Sequence, residues 1–170
     1  MRKPALLVAL FTILFSSFQV GLAQATDSGT VTATVTAQNI SVSLDNTTIA
    51  FGTIGTASTK DTTTGGVNTS ITATNNGNVA EKLNIMAANS TNWTLGATAG
   101  SETYTMKYCT ATCDTTPSWS AVGISPSYAV LAASVAKDAT QVFDLQVGTP
   151  TTTVNYTEQS MTVTVQATTP

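Results

Sequence analysis

The chain has 170 residues, with six Lys or Arg, nine Asp or Glu, no His and a formal net charge of −3 at pH 7. That balance excludes a phosphate-neutralising surface, which needs clustered Lys or Arg, so nucleic acid is not an expected partner. Without His, a Ser or Thr nucleophile has no imidazole base, and a zinc-type site lacks its usual ligand.

The first element is a targeting segment. Arg2 and Lys3 form a short positive region, residues 5–22 are apolar and uncharged, and Ala23 and Ala25 supply an A-x-A pattern. These features predict a signal peptide over 1–25, removed after Ala25. No Cys sits at the cleavage site, so a bacterial lipid anchor is not expected. The mature chain, residues 26–170, is expected to form one domain, with 26–39 a separable N-terminal strand. Loss of Arg2 and Lys3 takes the net charge from −3 to −5. The chain ends in "VTVQATTP", which has no hydrophobic tail, so no membrane span is expected after signal removal.

Thr and Ser make up about a third of the mature chain, but the Thr residues mostly alternate with Val, Ile, Ala and Leu. That period of two marks half-buried strands rather than a disordered stalk. "TVTATVTA" (30–37) puts Val31, Ala33, Val35 and Ala37 on one face. "ISVSL" (40–44) continues the alternation, and "IAFGTI" (49–54) reads as a strand with a bulge at Gly52. "ITATNNGNVAEKLNI" (71–85) reads as a hairpin turning at the Asn-Gly pair, with Val79, Leu83 and Ile85 in the core.

Strands are then expected at 92–97, at 101–108 with Tyr104, Met106 and Tyr108 on one face, and at 119–124. Residues 127–140 read either as a helical turn or as a strand and a turn. Residues 141–147 face Phe143, Leu145 and Val147 inward, and 160–167 do the same with Met161, Val163, Val165 and Ala167. The fold class is therefore all-β: an antiparallel two-sheet β-sandwich, immunoglobulin-like or jelly-roll-like, of about nine strands.

Candidate chemistry is sparse. Cys109 and Cys113, the two cysteines, predict a disulfide at a loop tip in an oxidising compartment. Glu81, Glu102 and Glu158 read as solvated faces and strand edges, with no spacing that pairs two carboxylates for glycoside chemistry. Asp45, Asn46, Asp61 and Asp114 sit in polar loops, but none matches a calcium-loop pattern. The expected inventory is thus no catalytic residue, no metal and no cofactor.

Trp93, Tyr104, Tyr108, Trp119 and Tyr128 read either as core or as a carbohydrate platform. Six N-x-Ser/Thr sequons occur, at Asn39, Asn46, Asn68, Asn89, Asn92 and Asn155.

Three family resemblances bear on role. "ITATNNGNVAEKLNI", "LAASVAKDATQVFDLQVGTP" and "SMTVTVQA" resemble the strand skeleton of CARDB-like extracellular bacterial immunoglobulin-like modules. That resemblance implies adhesion or spacing. "IAFGTI" followed by "NWTLGA" is similar to the first part of the WxL surface domain. Trp93 and Leu95 would be its first W-x-L, implying a cell-wall polymer as partner; the C-terminal W-x-L is absent. The signal peptide, early strand and "NNGNVAEKL" look like the TasA/camelysin type of fibre subunit. That resemblance implies polymerisation with copies of itself, with Val31, Ala33, Val35 and Ala37 in a donated strand. The expected location is secreted, extracellular or at the cell surface, and the expected role structural or adhesive, without enzyme activity.

Overall fold

The computed structural model describes residues 28–170. The expected signal peptide and its cleavage after Ala25 lie outside the described residues. The chain divides into two compact units, Met1–Val35 and Thr36–Pro170. Of the first, residues 28–35 are described. They carry no strand, and Val31 and Val35 are 94% and 96% exposed. The alternation at 30–37 thus supplies strand propensity, but no ladder forms there among the described residues.

The second unit is all-β. Its strands are β1 (Val42–Leu44), β2 (Thr59–Asp61), β3 (Ile71–Asn75), β4 (Glu81–Ala87), β5 (Thr94–Leu95) and β6 (Thr103–Cys109). They are followed by β7 (Ser120–Ala121), β8 (Gly123–Ile124), β9 (Ala129–Val135), β10 (Thr140–Gly148) and β11 (Val163–Thr168). One sheet runs β1-β3-β10-β6-β5, with β2 also on β10 and β7 on β6. The other runs β11-β4-β8, with β9 also on β4. The two sheets pack together as the predicted sandwich. The eleven strands roughly match the expected nine, and three of them, β5, β7 and β8, are only two residues long.

The core explains the pairing. Ile71 and Ala73 of β3, Tyr104 and Met106 of β6, and Phe143, Leu145 and Val147 of β10 are buried. From the other sheet, Leu83 and Ile85 of β4 and Leu131 and Val135 of β9 meet them in one cluster. Val142 points outward, as its phase predicts. β11 lays Val163, Val165 and Ala167 against the core while remaining partly exposed, as suits an edge strand.

Three expectations are corrected. Residues 71–85 are not a hairpin: β3 and β4 lie in different sheets, and the Asn-rich turn carries the chain from one to the other. The reason is local. Asn75 is fully buried, its Nδ2 donates to the carbonyls of Val79 and Val135 at 2.8 and 2.9 Å, and its Oδ1 accepts the Gly77 N–H at 2.8 Å. This side chain closes the turn through Gly77 and Val79 and ties it to the end of β9 through Val135, so the chain leaves β3 for the other sheet.

Residues 119–124 are likewise two strands rather than one. β7 pairs antiparallel with β6 and β8 parallel with β4, and buried Val122 marks the crossing between sheets. A Cβ at Gly123 would overlap the backbone of Ser127, Tyr128 and Ala129, so the crossing needs glycine there. Finally, 49–54 form no ladder. Residues 127–140 resolve as β9 and a turn, in which Asp138 takes a positive φ of 61° and donates its N–H to the Asn75 carbonyl.

Candidate functional site

The expected disulfide is present. Cys109 ends β6 and bonds Cys113 with a Cα–Cα distance of 5.8 Å. The residue that follows the bridge is docked. Asp114 Oδ1 accepts the Thr64 N–H at 2.7 Å and the Thr64 hydroxyl at 2.9 Å. Those bonds, the backbone one first, hold the Asp114 carboxyl below its ordinary value of 3.8.

Other acids are also used to fasten loops. Asp45 accepts the Thr72 N–H at 2.7 Å, chiefly through which its pKa is lowered. Buried Asp144 accepts the hydroxyls of Thr62 and Ser70 at 2.7 and 2.9 Å, which ties the β2–β3 loop to β10. Glu102, at a positive φ of 50°, accepts the Val154 N–H at 2.6 Å, the Thr153 hydroxyl at 2.8 Å and the Asn155 amide at 3.2 Å. The Val154 bond leads in lowering its pKa. This fixes a loop whose tip presents Val154 and Tyr156, 84% and 81% exposed. No apolar periodicity in 151–158 announces that tip.

Glu81 corrects the sequence reading of a solvated face. It is fully buried; Oε1 accepts the Ser41 N–H at 2.7 Å, and Oε2 has no hydrogen-bond partner among the described residues. The signal was legible, since Glu81 lies in phase with Leu83 and Ile85 on the inward face of β4. Around it the turn holds the chain that leads into β1. Asn78 Nδ2 donates to the Ala37 carbonyl at 2.7 Å, Asn78 Oδ1 accepts the Asn39 N–H at 2.8 Å, and the Asn76 N–H donates to the Ser41 carbonyl at 2.8 Å. Of the four expected donor residues, Ala37 is therefore anchored at its carbonyl, whereas Val31, Ala33 and Val35 are exposed.

The aromatic side chains are mostly structural. Tyr104 is fully buried and donates its hydroxyl to the Ala88 carbonyl; burial raises its pKa to about 12. Tyr108 donates to the Val130 carbonyl of β9 at 2.8 Å. Trp93 is partly buried against the core with its indole N–H on Thr153 at 3.1 Å, and Leu95 is buried in β5. The Trp93–Leu95 pair is thus built into the fold. All six sequons lie outside strands, but the Asn46 and Asn155 amides donate within the protein, to Ser70 O and Glu102 Oε2. No group of three His, Cys, Asp or Glu able to hold a metal occurs among the described residues.

The fold and its fastenings define an all-β sandwich stapled by one disulfide. No model of a known protein family, no curated protein and no solved structure matches the chain.

Proposed function

We propose that this chain is a secreted or cell-surface β-sandwich of structural or adhesive role, without catalytic activity. The observation that supports it most is the use of its carboxylates. Asp45, Glu102, Asp114 and Asp144 each accept two or more hydrogen bonds, all from segments distant in sequence except the one that Asn46 N–H gives Asp45. A carboxylate engaged in this way is a fastening rather than a proton donor, and at Asp45, Glu102 and Asp114 the accepted bonds lower the pKa and favour the ionised form. The fixed tip with Val154 and Tyr156 suits adhesion, since an ordered aromatic binds at low entropic cost. Antibody against residues 36–170 should label intact cells of the native source. Labelling only after permeabilisation overturns the reading.

A second reading is favoured by residues 28–36, namely that the protein is a strand-exchanging fibre subunit. Val31 and Val35 are almost fully exposed, on a segment whose alternation suits a sheet. Burying one Val side chain in a partner would contribute roughly 1.5–3 kcal/mol. The backbone ladder adds directionality. Negative-stain electron microscopy of residues 26–170 at high concentration should show filaments that are lost when 26–38 are deleted. A strictly monomeric protein overturns this second reading.

A further inference from the structure

Residues 49–54, "IAFGTI", read as a strand, yet neither they nor Thr47 and Thr48 before them form one. The segment is nonetheless ordered by its side chains. Ile49, Phe51 and Ile54 are partly buried against the core, while Thr48, Ala50 and Thr53 are exposed. Gly52 takes a φ of 72°, which inserts one extra residue and returns Ile54 to the inward face. Among the described residues, no backbone N–H or carbonyl of 47–54 makes a hydrogen bond. This is a β-branched and aromatic segment, extended, facing the core, and unpaired along its backbone.

One other β-patterned segment in the described chain is in the same condition: residues 30–36, whose Val31, Ala33 and Val35 share a face and lie exposed. We infer that residues 47–54 are the acceptor edge, and that the strand they accept is residues 30–36 of a second copy of this chain. The inference rests on the strand-exchange reading and gives it its missing half.

The complementarity is physical. An added strand would pair the open N–H and carbonyl groups of 47–54. Its Val and Ala face would lie beside the partly buried Ile49, Phe51 and Ile54 on the core side, and its Thr face would stay in water. β11 offers a rival free edge, but it already has a full ladder with β4 from Val163 to Thr168. Residues 47–54 have none, so they gain most from a partner.

Hydrogen exchange on the mature chain, before and after assembly, tests this without altering a residue. In the monomer the amides of 48–54 should exchange at nearly unprotected rates. In filaments they should slow by about 100-fold or more. A second measurement mixes two single-cysteine variants, Thr34→Cys and Ala50→Cys, under mild oxidation, with Gln166→Cys on β11 as the rival acceptor. A disulfide between Thr34→Cys and Ala50→Cys chains is expected. Filaments in which 48–54 still exchange fast, or in which Thr34→Cys links only to Gln166→Cys, overturn the acceptor while strand exchange stands. Absence of filaments overturns both. A Thr34→Cys/Ala50→Cys double variant that closes only on itself, at every concentration, overturns the second copy as partner.

Discussion

The Glu81 carboxylate takes the backbone N–H of Ser41 at 2.7 Å, a bond spanning forty residues of sequence. It fixes the chain leading into β1 to the first residue of β4, in the sheet that β1 does not belong to. Glu81→Ala removes the acceptor and leaves a void, so a loss of about 1–3 kcal/mol is expected. Glu81→Gln keeps an acceptor oxygen and the volume, and should remain within about 1 kcal/mol of the parent protein. Denaturant melts would measure both, with exchange of the Ser41 amide as the local readout. Equal losses in the two variants would show that the bond to Ser41 is not what Glu81 contributes.

Gly77 lies directly against that carboxylate. A Cβ there would overlap Glu81 Oε1 and the Asn39 carbonyl, and would approach Asn75 Oδ1 at 3.1 Å. Two of these three neighbours belong to the hydrogen-bonded turn, so neither can retreat cheaply. Gly77→Ala should cost about 1–3 kcal/mol. Because part of that cost is the clash with Glu81, the Gly77→Ala/Glu81→Ala double variant should lose less than the two single losses added together. Strict additivity in a thermal-melt cycle would place the clash elsewhere.

Acid sensitivity follows from Asp45, Glu102 and Asp114. All three have pKa values lowered by accepted backbone hydrogen bonds, from ordinary values of 3.8, 4.5 and 3.8. A depressed folded-state pKa contributes stability that is present above the unfolded value and lost as pH falls through the folded one. The melting temperature should therefore hold from pH 7 to about 5 and fall below the ordinary carboxylate range. Glu102→Gln should soften the fall and free the Val154–Tyr156 tip. A melting temperature still flat at pH 2.5 would sink the argument.

Much of the fold was legible because period-two alternation reports burial directly. Phe143, Leu145, Val147 and outward Val142 follow from phase alone. Pairing was less legible, because phase does not choose a partner. "NNGN" has the residues of a hairpin turn, and what diverts it is the Asn75 side chain bonding Val135, sixty residues away. The same limit applies to 30–37 and 49–54, whose strand propensity is plain but whose ladders are missing within the described chain. Glu81 was misread by residue type against its own phase. The Val154–Tyr156 tip depends on Glu102, some fifty residues distant, which no local pattern encodes.

The disulfide should matter locally rather than globally. Cys109 and Cys113 are four residues apart, so the loop entropy removed from the unfolded chain is small, about 2 kcal/mol at most. Its larger effect is positional, because Cys113 adjoins Asp114, which accepts the Thr64 N–H and hydroxyl. Reduction should lower the melting temperature only modestly while exchange of the Thr64 amide accelerates. Amides of β4 and β10 should keep their protection, since their ladders run through the buried centres of the two sheets. Cys109→Ala/Cys113→Ala should reproduce the reduced protein in both respects. Collapse of β10 protection on reduction would mean that the bridge holds the sandwich itself, and that the Asp114–Thr64 contact is not its main consequence.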